Sequence, residues 1–548
     1  MRTAAKVLCT CAVAMATAAP AFTTQELGHR LMAGERLGAV HFATSCEVAV
    51  QPQFDRAMAL LHSFEFAAAI DGFGDTLRAD PACGIAAWGL ALSQWGNPFL
   101  ASLRPVTQLA QGLGTVQRAR QIGAKTERER AYIDAAATLY VDYDRTDQHA
   151  RQVAYAQAMG RLAAAYPEDR EASIFYALSL AASAPPSDKT YANQLKAGAI
   201  LEQIFVELPD HPGVAHYIIH SYDVAPLADR ALVAARRYAS IAPSAPHALH
   251  MPSHTFTRVG AWQESIDANT ASGMAARREG ATAEELHATD YLTYAYLQTG
   301  QDAAAQRLVE GLPAIAARFD PSAVGSAAPG VAGVFALAAI PARWALERRD
   351  WEAAAALEPH PSAFPFTDAT AYFARALGAA HTGALGKAYE SVDALQRLHD
   401  RLVSANEAYW AEQVDIEREG SAAFLALAEG RSAEALTLMR SAARREDATE
   451  KSAITPGPIA PARELLGEML LDLHQPASAL SEFQATLKKE PNRFRAVYDL
   501  AKAAQLAGDA ATARTTFEQL LTICERADRP GRPELVEARL FVGKSPTP

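Results

Sequence analysis

The chain has 548 residues, with 51 basic and 62 acidic side chains, a formal net charge of −11 and a pI near 5.8. That length exceeds what a single core fills, so several domains or an elongated repeat array are expected. The acidic balance, without any basic stripe, argues against nucleic acid as a partner, and an alanine- and leucine-rich composition poor in β-branched runs favours helices over strands.

Residues 1–21 read as an export signal. Arg2 and Lys6 precede an apolar stretch at 7–16, and Ala16-Thr17-Ala18 or Ala19-Pro20-Ala21 supplies a small-residue cleavage motif. A periplasmic or secreted protein is therefore expected. No later apolar run approaches the roughly 18–20 residues of a membrane span, so no transmembrane segment is expected after signal removal. Cys9 and Cys11 would leave with the signal, and Cys46, Cys83 and Cys524 would remain. Cys46 and Cys83 lie 37 positions apart, near the starts of neighbouring helix pairs. They are either a disulfide, contributing about 3–4 kcal/mol by loop entropy, or two unpaired small core residues.

Phe54, Ala57, Met58 and Leu61 fall at positions 4, 7, 8 and 11 of a 34-residue frame, and Ala69, Phe73 and Pro81 stand for positions 20, 24 and 32, one residue early. This matches the W-x2-L-G-x2-Y, A-x3-F, P pattern of the tetratricopeptide repeat. Small residues at 8 and 20 let paired helices approach, while aromatics at 4, 11 and 24 fill the space between pairs. Trp88 and Trp95 flank the next helix as packing residues. Residues 107–166 carry two more helical patterns. Pro185 and Pro186 then break the chain before a helix over 190–207. Pro209 at position 32 opens a clean unit with Ala231 at 20 and Pro243 at 32; the following unit starts at Pro246, and residues 286–300 form the first helix of a third.

Residues 319–334, small and poorly periodic, read as a loop between an N-terminal repeat block (22–318) and a C-terminal one (335–548), with 447–461 as a second connector. The last repeats are the clearest: Leu466, Gly467, Leu470, Ala479, Phe483 and Pro491 restate the series, and Leu500, Ala501, Ala504, Ala513 and Phe517 follow 34 positions on. The expected fold is all-α, a tetratricopeptide-like helix-turn-helix solenoid with right-handed superhelical twist. Glu464 and Glu468, the Arg444–Asp447 charges and Lys488-Lys489-Glu490 read as surface groups.

The stretches FDRAMALLHSFEFAAAI, DPACGIAAWGLALSQWGNPF, HPGVAHYIIHSYD, APHALHMPSHTFTRVG and TPGPIAPARELLGEMLL resemble a group of exported bacterial tetratricopeptide-repeat proteins. The HxLHMPSH stretch is the most distinctive. The resemblance implies a secreted or periplasmic helical-repeat protein and transfers no catalytic assignment.

Six of the fifteen histidines lie between 211 and 260, and His216–His250 and His220–His254 are each separated by one 34-residue period. In such repeats, positions 2, 5, 9 and 12 of the first helix face the concave surface. The frame puts His216 and His250 at 5, His220 and His254 at 9, His247 at 2 and Asp223 at 12. Aligning Gly300 on Gly260 adds His287, Asp290 and Tyr294 at 2, 5 and 9. Each i, i+4 histidine pair shares a helix face, the spacing that lets two imidazoles hold one ion. The metal set is therefore His216, His220, Asp223, His250 and His254, all looking into one groove. His247, His287, Asp290 and Tyr294 form the remaining ligand-binding face. Zinc or copper suits such ligands. Pro252 is expected to kink the second helix and to disturb the His250–His254 pair. His211 and His247 have turn or cap roles as their plain alternative.

Three functions fit these residues: a scaffold binding metal, a peptide or protein ligand, or both; a metal-dependent hydrolytic or redox enzyme; and a structural interaction module without metal. No HExxH, GxSxG or glycine-rich phosphate loop points to a known catalytic arrangement.

Overall fold

The computed structural model describes residues 34–100, 103–323 and 326–543. Residues 1–21, read as an export signal, with Cys9 and Cys11, lie outside the described residues. Among those described there is no strand, and from Arg36 onward the chain forms one compact unit. The fold is the expected tetratricopeptide-like stack of helical hairpins. No helix among the described residues is long and apolar enough to cross a membrane.

The repeat pattern acts through packing. A Cβ on Gly467, at position 8, would sit 2.6 Å from the ring of Phe483 at position 24, so only glycine lets the Ala462–Asp472 and Pro476–Lys489 helices meet this closely. Trp88 is fully buried against Phe42, Tyr132 and Phe175. Trp95 carries the Arg104 guanidinium 3.9 Å above its ring. Both tryptophans are therefore occupied by packing. Cys46 and Cys83 form a disulfide with Cα atoms 4.9 Å apart, tying the leading segment to the start of the Gly84–Trp95 helix.

The segment at 319–334, expected to divide two blocks, lies within the single unit, and its last residues already belong to the Gly330–Leu346 helix. The C-terminal repeats pack back on the N-terminal ones. Gly260, at φ 69°, ends the helix after His254, and an added Cβ there would come 2.4 Å from the Pro491 carbonyl oxygen. The seam is sealed by Trp262 Nε1 donating to the Asn492 carbonyl (2.9 Å) and Asn492 Nδ2 donating to the Gly260 carbonyl (3.2 Å). Gly300, also at positive φ, accepts from the Asp528 N–H through its carbonyl.

This back-packing overturns the surface reading of several charges. Glu464 is buried and accepts from Arg493 through both oxygens (2.8 and 2.9 Å), Glu468 pairs with Arg349, and Glu490 is buried as well. The local pattern around them is that of an exposed helix face. What covers them is chain from other repeats.

Candidate metal centre

Six histidines collect in the core of the N-terminal repeats, and they form two triads rather than one set of four. The Pro212–Ser221 helix carries His216 and His220. The helical run continues as Pro246–His250 and Pro252–Arg258, with His247, His250 and His254, and the Thr282–Gln298 helix supplies His287. His216, His220 and His247 offer one nitrogen each, all within 4.8 Å of one another; His250, His254 and His287 do the same. All six side chains are buried.

Pro252 divides the helix that carries three of the six. It lacks the N–H that would extend the helix, so the Pro246–His250 turn ends at Met251 and a new helix begins. Met251 keeps helical dihedrals (φ −52°, ψ −36°), and His250 and His254 still face each other with Nε2 atoms 3.1 Å apart. The break thus leaves that pair intact, and His247 meets His216 of the preceding repeat with ring centroids 5.0 Å apart.

Three of the six rings have their Nδ1 committed. His216 Nδ1 donates to the His62 carbonyl (2.7 Å), His250 Nδ1 to Asn269 Oδ1 (2.7 Å) and His254 Nδ1 to Asp223 Oδ2 (3.0 Å). The Asn269 amide is oriented by its own Nδ2, which donates to the Ser265 carbonyl, so its oxygen faces His250. A neutral imidazole that donates from Nδ1 carries its lone pair on Nε2. Burial lowers the proton affinity of all six rings, bringing His216 and His287 down to about 3, and neighbouring imidazoles push the same way. The rings are therefore neutral at pH 7. Two neutral rings that both donate from Nδ1 cannot hydrogen-bond to each other through Nε2. The 3.1 Å contact of His250 with His254 brings two lone pairs face to face.

Unpartnered ring nitrogens mark both triads. His216 Nε2, His220 Nε2, both nitrogens of His247, and His287 Nδ1 are buried without a hydrogen-bond partner. A third histidine cluster gives the contrast. His62 Nε2 donates to Glu171 Oε2 (2.9 Å), His211 Nε2 donates to Glu171 Oε1 (3.0 Å), and His62 Nδ1 accepts from the Tyr217 hydroxyl (3.0 Å). His211 Nδ1 accepts the Val214 N–H, the cap role expected of it. Every nitrogen of that cluster is satisfied, and it builds structure.

Asp223, expected as a ligand, is not in either triad. Its oxygens accept from His254 Nδ1 and Arg258 Nε (2.9 Å), with Lys451 Nζ 3.4 Å away, and these cations hold its carboxyl well below the usual range. It orients His254 from outside. Asp290 and Tyr294, expected on an open ligand face, are interior groups: Asp290 Oδ1 accepts from Arg343 Nε at 2.9 Å with both side chains fully buried, and the Tyr294 hydroxyl accepts from Arg493 Nη1 at 3.1 Å. His247, for which a cap role was the alternative, makes no cap bond with its ring, and neither His247 nor His287 faces an open surface.

The groove is covered by the chain itself. Residues of the connector at 449–461 lie over the second triad: Tyr291, whose ring centroid is 4.8 Å from that of His250, donates to the Thr455 carbonyl, and Arg343 donates to Pro458 and Gly457 carbonyls and to Thr455 Oγ1. Phe64, at φ 57°, walls the first triad, its ring 4.4 Å from His216 and 5.6 Å from both His220 and His247. Phe99 stacks on His220 at 4.0 Å. An apolar cleft of about 50 Å³, lined by Leu61, Trp95, Tyr155 and Phe175, reaches Phe64. A charged one of about 90 Å³ includes Arg258 and Lys451 beside the second triad.

Sequence reasoning missed the His62 carbonyl, Asn269, Lys451 and Arg343. His62 alone left a trace, as a histidine inside a core-patterned helix. The others reach the site only through tertiary packing.

No protein-family model matches the chain, and no curated protein matches it. Among solved structures, the chain is similar to a human IFIT1 dimer with m7Gppp-AAAA (11% identity, 81% of this chain and 90% of that one, TM-score 0.35). It is also similar to Naa15/Naa10 bound to HypK-THB (11% identity, 91% and 96% coverage, TM-score 0.25). At these scores neither neighbour's ligand or partner carries over to this chain.

Proposed function

We propose that this protein is a metalloprotein, a helical-repeat scaffold whose two buried histidine triads hold transition-metal ions. The observation that carries this reading is the facing of lone pairs at His250 and His254, repeated as unpartnered nitrogens in the other triad. Buried acceptors without donors are costly, and one cation among three nitrogens satisfies them together. Three nitrogens bound at 2.0–2.1 Å to one ion lie about 3.3–3.6 Å apart; within each triad they lie within 4.8 Å of one another, and His250 and His254 are at 3.1 Å. The Asp223 and Asn269 contacts, and the His62 carbonyl, are the outer bonds that fix ring orientation around metal ligands.

An open peptide groove is the weaker reading, because residues 449–461 occupy the face where a peptide would lie. An exported, periplasmic or secreted setting is supported by the signal-like residues 1–21 and by the Cys46–Cys83 disulfide, which suits an oxidising compartment. The test is elemental analysis of protein purified without a histidine tag and reconstituted with zinc or copper. Metal should be stoichiometric and should fall when His216 and His250 are changed to Ala with the helical circular dichroism kept. Less than a tenth of an equivalent in the native protein would refute it.

A further inference from the structure

Building on the metal reading above, we infer that the two triads form one paired centre built for monovalent copper. Ring centroids of His220 and His254, across the boundary between triads, are 6.1 Å apart, as are those of His247 and His250. Within the triads the spacings run from 4.4 Å (His250–His287) to 6.2 Å (His254–His287). The gap between the triads is thus no wider than the spacing inside them, and two ions would be close neighbours.

The charge of the site selects the ion. All six ligands are neutral imidazoles, and every nearby carboxylate is engaged elsewhere. Asp223 lies among His254, Arg258 and Lys451, Asp290 is held by Arg343, and Glu65 Oε1 accepts the His247 backbone N–H at 3.3 Å. Arg258 and Lys451 claim Asp223, and the further carboxylates of Glu450 and Glu490 act on those same cations, so no carboxylate is left to ligate a bound ion. At equal separation, two divalent ions repel about four times as strongly as two monovalent ones. Desolvating a divalent ion among neutral ligands costs more again. Zinc would also want a fourth ligand, usually water, whereas Phe64, Phe99 and Tyr291 wall the triads. A three-coordinate monovalent ion with imidazole ligands meets each of these conditions, and copper is the first-row transition metal that supplies it.

The experiment uses full-length, untagged apo-protein under anaerobic conditions. It is titrated with Cu(I) against the chromophoric chelator bicinchoninate and, in parallel, with Zn(II) against a zinc indicator, and X-ray absorption is recorded on the copper-loaded sample. The expected result is two equivalents of Cu(I), each with three imidazole nitrogens, bound at least about tenfold more tightly than zinc. His247→Ala and His287→Ala should each lose one equivalent and keep the other. Should either variant fail to fold, stoichiometry and absorption edge of the native protein decide. One equivalent of copper overturns the pairing. Tighter zinc than copper overturns the choice of ion and leaves the metal reading standing. No metal of either kind overturns both.

Discussion

Arg343 joins the histidine-bearing repeats to the connector that covers them, and changing it to methionine isolates that role. In the native protein its guanidinium donates to Asp290 Oδ1 (2.9 Å), to Thr455 Oγ1 (2.7 Å) and to the carbonyls of Gly457 (2.9 Å) and Pro458 (3.0 Å). Asp290 has no comparable redundancy, because its Oδ2 is buried without a partner. Arg343→Met therefore strands a buried carboxylate, at a cost of about 3–5 kcal/mol. Asp290→Asn should cost less, about 1–3 kcal/mol, since Arg343 keeps three acceptors and the amide oxygen still accepts. Burial already holds the Asp290 carboxyl above its ordinary value, even with Arg343 beside it, and losing the arginine raises it further. A carboxyl with a higher pKa folded than unfolded takes up a proton on folding. Its penalty is least below the unfolded value of about 3.9 and grows as pH rises toward the folded one. The Arg343→Met penalty should thus widen from about pH 4 to pH 7, read as the urea midpoint at each pH. Limited proteolysis should cut the variant within 449–461. A variant no less stable than Asp290→Asn, or a penalty flat with pH, would refute the reasoning.

Further outcomes test the rest of the centre. Asp223→Asn keeps all six ligands but loosens His254, so metal affinity should fall about 10–100-fold without loss of stoichiometry, as measured by chelator competition. Glu171→Gln disturbs the saturated His62–His211 cluster; the protein should lose stability while its bound metal, by elemental analysis, stays unchanged. Cys46→Ser with Cys83→Ser should lower stability by about 3–4 kcal/mol in chemical denaturation, and a reductant should produce the same loss in the native protein and none in the variant. Phe64→Ala opens the wall of the first triad, so metal should exchange faster there than at the second, as followed by stopped-flow chelation.

The part of this architecture visible in the sequence is the part that repeats. The 34-residue echo of His216 and His220 in His250 and His254 found four of the six clustered histidines, and aligning Gly300 with Gly260 brought in His287. The same logic misled at Asp223, Asp290 and Tyr294. Repeat position says which way a side chain leaves its helix, and the partner waiting there comes from another repeat. Arg258, Arg343 and Arg493 claimed those three groups. Glu464 failed for a related reason: its helix is amphipathic in isolation, and only back-packing of the C-terminal repeats buries its outer face. The division into two triads was also hidden, since it depends on which neighbouring helix each ring meets: His247 meets His216, and His250 meets His287.

The cover at 449–461 is encoded far downstream of the histidines it seals. A chain emerging N-terminus first assembles its triads while the segment that closes them is still to come. On the proposed metal reading, occupancy then becomes a matter of timing. An ion arriving early meets exposed imidazoles, and one arriving late waits for the Arg343-held segment to lift. Once loaded, the protein should release its ions at the tempo of that local opening, so that stripping by a strong chelator reaches a ceiling rate that more chelator does not raise.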